Sequence, residues 1–234
     1  MPAYRSPEEA EIRKPVVARL RELMPGARII HEIQSACQGP TRIDVLAVST
    51  DRIAAVEIKS SKDKLDRLPA QLSAMCGCAH HPIVALHRKF FEIKETPNAG
   101  TWINAPEEAG HGVIWGFDLP QLTSAEQYLR HELQDRWRKW MACPPPGAID
   151  MLWRDELREI ASRRALHRAT SRLTIPELID VLTWHMTGAE ITKEVCAALR
   201  ARKCVEADPP IETDTPDPGP GHDRVSRQSQ GVLL

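Results

Sequence analysis

Two short runs of β-branched and aliphatic residues, Arg42-Ile43-Asp44-Val45-Leu46-Ala47-Val48 and Ile53-Ala54-Ala55-Val56-Glu57-Ile58-Lys59, are separated only by Ser49-Thr50-Asp51-Arg52. A short polar turn between two such runs predicts a β-hairpin. Strand side chains alternate with a period of two, so Glu57 and Lys59 share one face and Ile58 takes the other. Asp44 lies thirteen positions before Glu57, on the first strand. Three ionisable groups in strands that otherwise build a core are costly unless they bind something. A divalent metal held by Asp44 and Glu57 would meet that cost. A second acid–apolar–lysine copy, Glu92-Ile93-Lys94, has no aspartate on a preceding strand at hairpin distance and reads as a solvated strand end.

The flanking sequence predicts an α/β order. Ser6-Pro7-Glu8-Glu9 combines an N-cap, a first-turn proline and early acids, the signature of a helix start. Ile12, Val16, Leu20 and Leu23 continue it as one apolar stripe to about residue 24, with Pro15 able to kink or split it. An isoleucine-rich strand follows over residues 27–34, then the hairpin, a helix over residues 62–79 and an apolar strand from Pro82 to Leu86. Residues 90–112 read as irregular, and residues 112–117 as a last strand. Helices are expected at 121–142 and, after Pro144-Pro145-Pro146, at 149–167, 174–186 and 189–203. Residues 207–234, rich in proline, acids and glycine, predict a disordered tail.

The residues Arg42-Ile43-Asp44 followed by Val56-Glu57-Ile58-Lys59 resemble the PD-(D/E)XK nuclease superfamily, the restriction-endonuclease-like fold. The longer string Glu57-Ile58-Lys59-Ser60-Ser61-Lys62-Asp63, then Leu65, Arg67-Leu68-Pro69 and Gln71, is similar to a small bacterial and phage branch near the VRR-NUC and MmcB-like DNA-repair nucleases. The likeness extends through residues 82–86, 112–116 and 151–156, and so over most of residues 8–205. It implies a core of helix, three-stranded meander, helix and strand within residues 1–120, a helical C-terminal subdomain at 121–206 and the tail at 207–234. Relatives often carry tyrosine four residues after the glutamine; Met75 stands there in this chain.

The chemistry implied is Mg²⁺-dependent hydrolysis of DNA phosphodiester bonds, in DNA repair, recombination or phage DNA processing. Mn²⁺ is expected to substitute. Mg²⁺ prefers oxygen ligands and keeps several waters, so Asp44, Glu57 and the backbone carbonyl of Ile58 suffice as protein ligands. An unshifted lysine is a poor general base, so Lys59 is assigned to stabilising negative charge on the phosphorus. Gln71 is assigned to the water or a phosphate oxygen. The resemblance adds Glu32, in the place of a strand acid that relatives carry, and Glu9, in the place of a first-helix glutamate. A salt bridge at Glu32, or helix-dipole matching at Glu8, Glu9 and Glu11, explains these acids without catalysis.

Composition leaves any grip on DNA local. The chain has 31 Lys and Arg against 32 Asp and Glu, a net charge of −1, so no global basic field attracts a polyanion. Lys62, Lys64 and Arg67 beside the motif are one candidate contact. Arg163, Arg164 and Arg168, within an arginine-rich segment opposed in sequence only by Glu159, are the other. The alternative for the second is a solvated helix face. One alternative function is a catalytically weak nucleic-acid-binding or adaptor protein on the same fold; another is an interaction protein whose helical C-terminal part docks a protein partner. Trp137, Trp140 and Trp153 are expected as core anchors rather than base-stacking platforms. The six cysteines are scattered, and Cys76 and Cys78 are too close for a zinc pair. No apolar signal segment opens the chain and no run spans a bilayer, which predicts a cytoplasmic protein.

Overall fold

The structure is a computed structural model that describes residues 5–37, 39–96, 100–110, 113–117, 147–166 and 172–211. The expected helix at 121–142, Trp137, Trp140, Cys143, Arg168 and residues 212–234 lie outside the described residues.

The chain is α/β, and its first half follows the predicted order. Helix α1 (Pro7–Leu23) precedes β1 (Arg28–Gln34), β2 (Arg42–Val48), β3 (Ile53–Lys59), α2 (Leu68–Cys78) and β4 (His81–His87). Strands β5 (Glu92–Thr96), β6 (Gly100–Asn104) and β7 (Val113–Phe117) come next, then α3 (Arg154–Arg163), α4 (Ile175–His185) and α5 (Gly188–Ala201). One sheet runs in the order β1-β2-β3-β4-β7. β1-β2 and β2-β3 are antiparallel, whereas β3-β4 and β4-β7 are parallel.

Two apolar layers sandwich this sheet. Ile12, Val16 and Leu20 of α1 pack with Ile29, Val45, Val56, Ile83 and Trp115 on one face. On the other, Leu68, Leu72 and Met75 of α2 pack with Ile43, Leu46, Ala55 and Leu86. The same second cluster takes in Met151, Leu152, Leu157, Leu182 and Leu199, so residues 147–211 share a core with the sheet. Buried Arg28 of β1 cements that union. Its Nη1 donates to the carbonyls of Leu199, Arg200 and Arg202 (2.8, 2.9 and 2.6 Å), capping the end of α5. Gly147 donates to Gly77 O at 2.8 Å, and a Cβ at Gly147 would stand 2.8 Å from that same oxygen. Glycine is required there for the close approach.

Several boundaries differ from those read in the sequence. Pro15 does not split α1, which runs from Pro7 to Leu23 with Pro15 on its exposed side. Helix α2 begins at Leu68 rather than near residue 62. Asp63 Oδ2 accepts from Ser60 N and Oγ (2.7 and 2.6 Å) and folds the preceding residues into turns. The stretch expected to be irregular contains the antiparallel β5-β6 hairpin. Helix α3 is shorter than predicted and follows a 3-10 turn at Ala148–Met151. The predicted tail boundary at 207 falls inside bonded structure: Asp208 N donates to Ile29 O at 2.9 Å, and His31 N to Glu206 O at 2.8 Å. Among the described residues, no helix is long and apolar enough to cross a membrane.

Candidate active site

The site begins where the sheet comes apart. Residues 28–31 and 33–34 of β1 pair with β2 in one unbroken register, but the Glu32–Asp44 pair is missing from it. Glu32 has φ = 57°, a left-handed conformation costing a non-glycine residue about 1–3 kcal/mol unless its surroundings hold it. Side-chain parity shifts at this point. Ile30 and Ile33 fall on one face of the sheet, as do Ile43 and Leu46, three residues apart rather than two. On the other side, β2 and β3 pair only as far as Val45 and Val56. Beyond that point Ile58 N donates to the Asp44 carboxylate (Oδ2, 2.8 Å) instead of to a backbone carbonyl. In a strand, N–H and C=O of one residue open to the same side, so the Ile58 carbonyl faces the gap that Asp44 occupies.

What holds this opening is Arg13, a residue the sequence reading passed over. It projects from α1 with 1% of its surface exposed. Its Nη1 donates to the Asp44 carbonyl (2.7 Å) and meets His31 Nδ1 at 3.1 Å. Its Nη2 bonds Glu32 Oε1 at 2.7 Å, and Nε bonds Glu9 Oε1 at 2.8 Å. Burial depresses its pKa, but Glu9, Asp44 and Glu32 outweigh that and raise it. Glu32 also pairs with Arg5 and with Arg42, the latter at 2.8 Å. Both acids pair with arginines: Glu32 with Arg13, Arg5 and Arg42, and Glu9 with Arg13.

Glu57, Lys59 and Gln71 form a closed triangle. Lys59 Nζ donates to Glu57 Oε1 and to Gln71 Oε1, both at 2.8 Å. The Gln71 amide nitrogen donates back to Glu57 Oε1. α2 supplies Gln71, on the sheet face that Glu57 and Lys59 share by the period-two rule. With Oε1 taken twice, Glu57 Oε2 is buried with no hydrogen-bond partner. Burial raises the pKa of Asp44 to about 8, with the Glu57 charge adding to it. Burial raises Glu57 as well, opposed by Lys59. Two desolvated carboxylates whose pKa values are both raised, one with an orphaned oxygen, are a donor set that a divalent cation would relieve. Among the described residues, no group of three or more His, Cys, Asp or Glu side chains could hold a metal, so further ligands would be the Ile58 carbonyl and water.

These groups line a cleft of about 540 Å³. Arg5, Arg42, Lys59, Lys62 and Arg67 bring positive charge to its wall, and Glu9 lines it as well. Lys62 pairs with Glu8 of α1. Lys64 is exposed and outside the lining. Lys89 pins the loop after β3 by donating to Ser61 O and to Asp63 O (2.7 Å). Met75 is fully buried in the core.

The C-terminal arginines are placed elsewhere. Arg163 bonds Glu159 and Glu194 (2.7 and 2.6 Å). Arg164 bonds Glu190 and Glu194 (2.8 and 3.2 Å). The acids of α5, distant in sequence, neutralise this stretch and clip α3 to α5. Trp153 is 51% exposed rather than a core anchor, because it precedes α3 at the surface. Glu92, of the second acid–apolar–lysine copy, is exposed and accepts from Asn104 Nδ2 at 3.2 Å; the Lys94 side chain lies outside the described residues. Arg42 could have been found from sequence, two positions before Asp44 on one strand. Arg13 left only a weak signal, a charge beside the inward stripe residues Ile12 and Val16.

No protein-family model, curated protein or solved structure matches this chain. The site therefore rests on its geometry: two carboxylates with raised pKa values, a lysine and a glutamine in a cleft that Arg5, Arg42, Lys62 and Arg67 line together with Glu9 and Asp63.

Proposed function

We propose that this chain is a metal-dependent nuclease that hydrolyses DNA phosphodiester bonds, built on a restriction-endonuclease-like core and acting in the cytoplasm. The observation that carries the reading is the orphaned Glu57 Oε2 beside Asp44, with Lys59 two residues on, inside a cation-lined cleft. Asp44, Glu57 and the Ile58 carbonyl would hold Mg²⁺ or Mn²⁺. When bound, such an ion supplies Lewis-acid polarisation of a phosphate ester and a more acidic water. Lys59 places positive charge where negative charge grows on the phosphoryl oxygens. Gln71 braces Lys59 and Glu57 so that both keep their aim. Arg42, Lys62 and Arg67 at the cleft wall bind flanking phosphates, which fixes the strand without reading its sequence.

The second reading, a binding or adaptor protein on the same scaffold, draws on the small donor set, two carboxylates where no third acid joins among the described residues. A plasmid-nicking assay with Mg²⁺ separates the two. The nuclease reading expects nicking by wild type and none by Asp44→Ala. Intact plasmid with wild type, under conditions where the plasmid is bound, would support the adaptor instead.

A further inference from the structure

A second cavity of about 520 Å³ lies between the outer edge of β1 and residues 202–206. It shares Gln34 and Arg42 as lining residues with the cleft of Asp44 and Glu57. We propose that this cavity receives an unpaired nucleobase of the strand whose phosphate lies in the cleft, with Trp153 as its stacking platform. The inference deepens the nuclease reading and rests on it for the identity of the strand. It specifies the substrate class: nucleic acid with an unpaired nucleotide beside the scissile bond, such as a single strand, an overhang or a flap.

Trp153 is built to stack. The Arg202 guanidinium covers its ring at 4.4 Å, leaving 51% of the residue exposed. Arg202 is itself buried and held by Met151 O (3.0 Å) and by Glu156 (Nε to Oε1, 2.7 Å). The Trp153 backbone is tied down through its N–H, which donates to Glu156 Oε2 at 2.7 Å. A ring fixed this way loses little entropy when a base settles on it, and a cation over its other side strengthens the stack.

The polar groups favour a base over a phosphate. Glu206 lines the cavity with a buried Oε2 that has no hydrogen-bond partner. A carboxylate repels phosphate, yet it accepts a hydrogen bond from the exocyclic amino group of adenine, cytosine or guanine. Cations sit where a backbone would pass: Arg42, which lines both cavities, and Lys203, exposed, at the rim. The volume lies within the range of small-ligand sites.

Binding without turnover tests this. The probe is a short single-stranded oligonucleotide carrying one aminopurine, titrated with full-length protein in Ca²⁺, with intact duplex as the comparison. Stacking predicts quenched aminopurine emission and about tenfold or greater loss of single-strand affinity in Trp153→Ala, with Trp153→Phe close to wild type. Duplex affinity should change little. Unchanged single-strand affinity and quenching in Trp153→Ala, with the fold intact by circular dichroism, would overturn the proposal. So would equal loss for duplex and single strand, or a Trp153 patch that binds a peptide but no oligonucleotide. Plasmid nicking is scored separately. Trp153-dependent binding without nicking sinks the nuclease reading alone, and nicking without that dependence sinks the base pocket alone.

Discussion

Arg13 Nη1 donates to the backbone carbonyl of Asp44 at 2.7 Å, across the break in the β1-β2 ladder where Glu32 takes its left-handed turn. A buried side chain thus occupies the ladder position that Glu32 N–H would fill. The contact sets how β2 delivers the Asp44 carboxylate to the cleft.

Arg13→Met removes one member of a buried charge network and leaves Glu9 and Glu32 without it. A stability loss of about 3 kcal/mol or more is expected by denaturant titration. Arg13→Lys keeps a charge but loses the fork that bridges Asp44 O and Glu32. It should remain folded and bind Mn²⁺ about tenfold more weakly by calorimetry, the scale seen when residues that orient metal ligands are changed. Wild-type Mn²⁺ affinity in Arg13→Lys would remove Arg13 from any positioning role.

The carboxylate pair makes apo stability depend on pH. Asp44 titrates at about 8 in the folded chain against an ordinary value of 3.8, so the folded state holds more protons between these limits. Its stabilising contribution is complete below 3.8 and is lost as pH rises through about 8. Without metal, the melting temperature of wild type should fall relative to Asp44→Asn across that window. Added Mg²⁺ should raise wild-type melting most at the alkaline end, because binding there displaces no proton. Parallel pH profiles for the two proteins would refute the perturbed pair.

Removing the motif should remove chemistry and spare the fold. Asp44→Ala, Glu57→Ala and Lys59→Ala are each expected to cut the Mg²⁺-dependent nicking rate about a hundredfold or more. Gln71→Ala should cost less, because Lys59 keeps its bond to Glu57. Glu92→Ala should cut like wild type. Rapid nicking by Lys59→Ala would mean that the catalytic group lies elsewhere.

The two arginine and lysine groups should separate in a salt titration of DNA binding. Each of Arg42→Ala, Lys62→Ala and Arg67→Ala is expected to reduce the slope of log affinity against log salt by about one, as for a lost phosphate contact. Arg164→Ala should leave that slope unchanged and lower the melting temperature, since it releases Glu190 and Glu194 on α5. A reduced slope in Arg164→Ala would return the C-terminal arginines to the nucleic-acid interface.

The sequence by itself determined the hairpin that carries Asp44, Glu57 and Lys59, the capped start of α1 and the order of the first six elements. These follow from local rules: period-two alternation, turn chemistry and capping, each readable within a few residues. Gln71 came from the resemblance of the longer string rather than from local rules, and packing of α2 set it against Lys59 and Glu57. Tertiary structure decided the partners of the charges. Glu32 and Glu9 went to Arg13, and Arg163 and Arg164 to acids of α5 some thirty residues away. Trp153 was turned outward beneath Arg202. The break at Glu32 and Asp44, too, depends on a side chain reaching in from another element. Ion pairs form between whichever groups the packed chain brings within reach, and no periodicity along the chain encodes that distance.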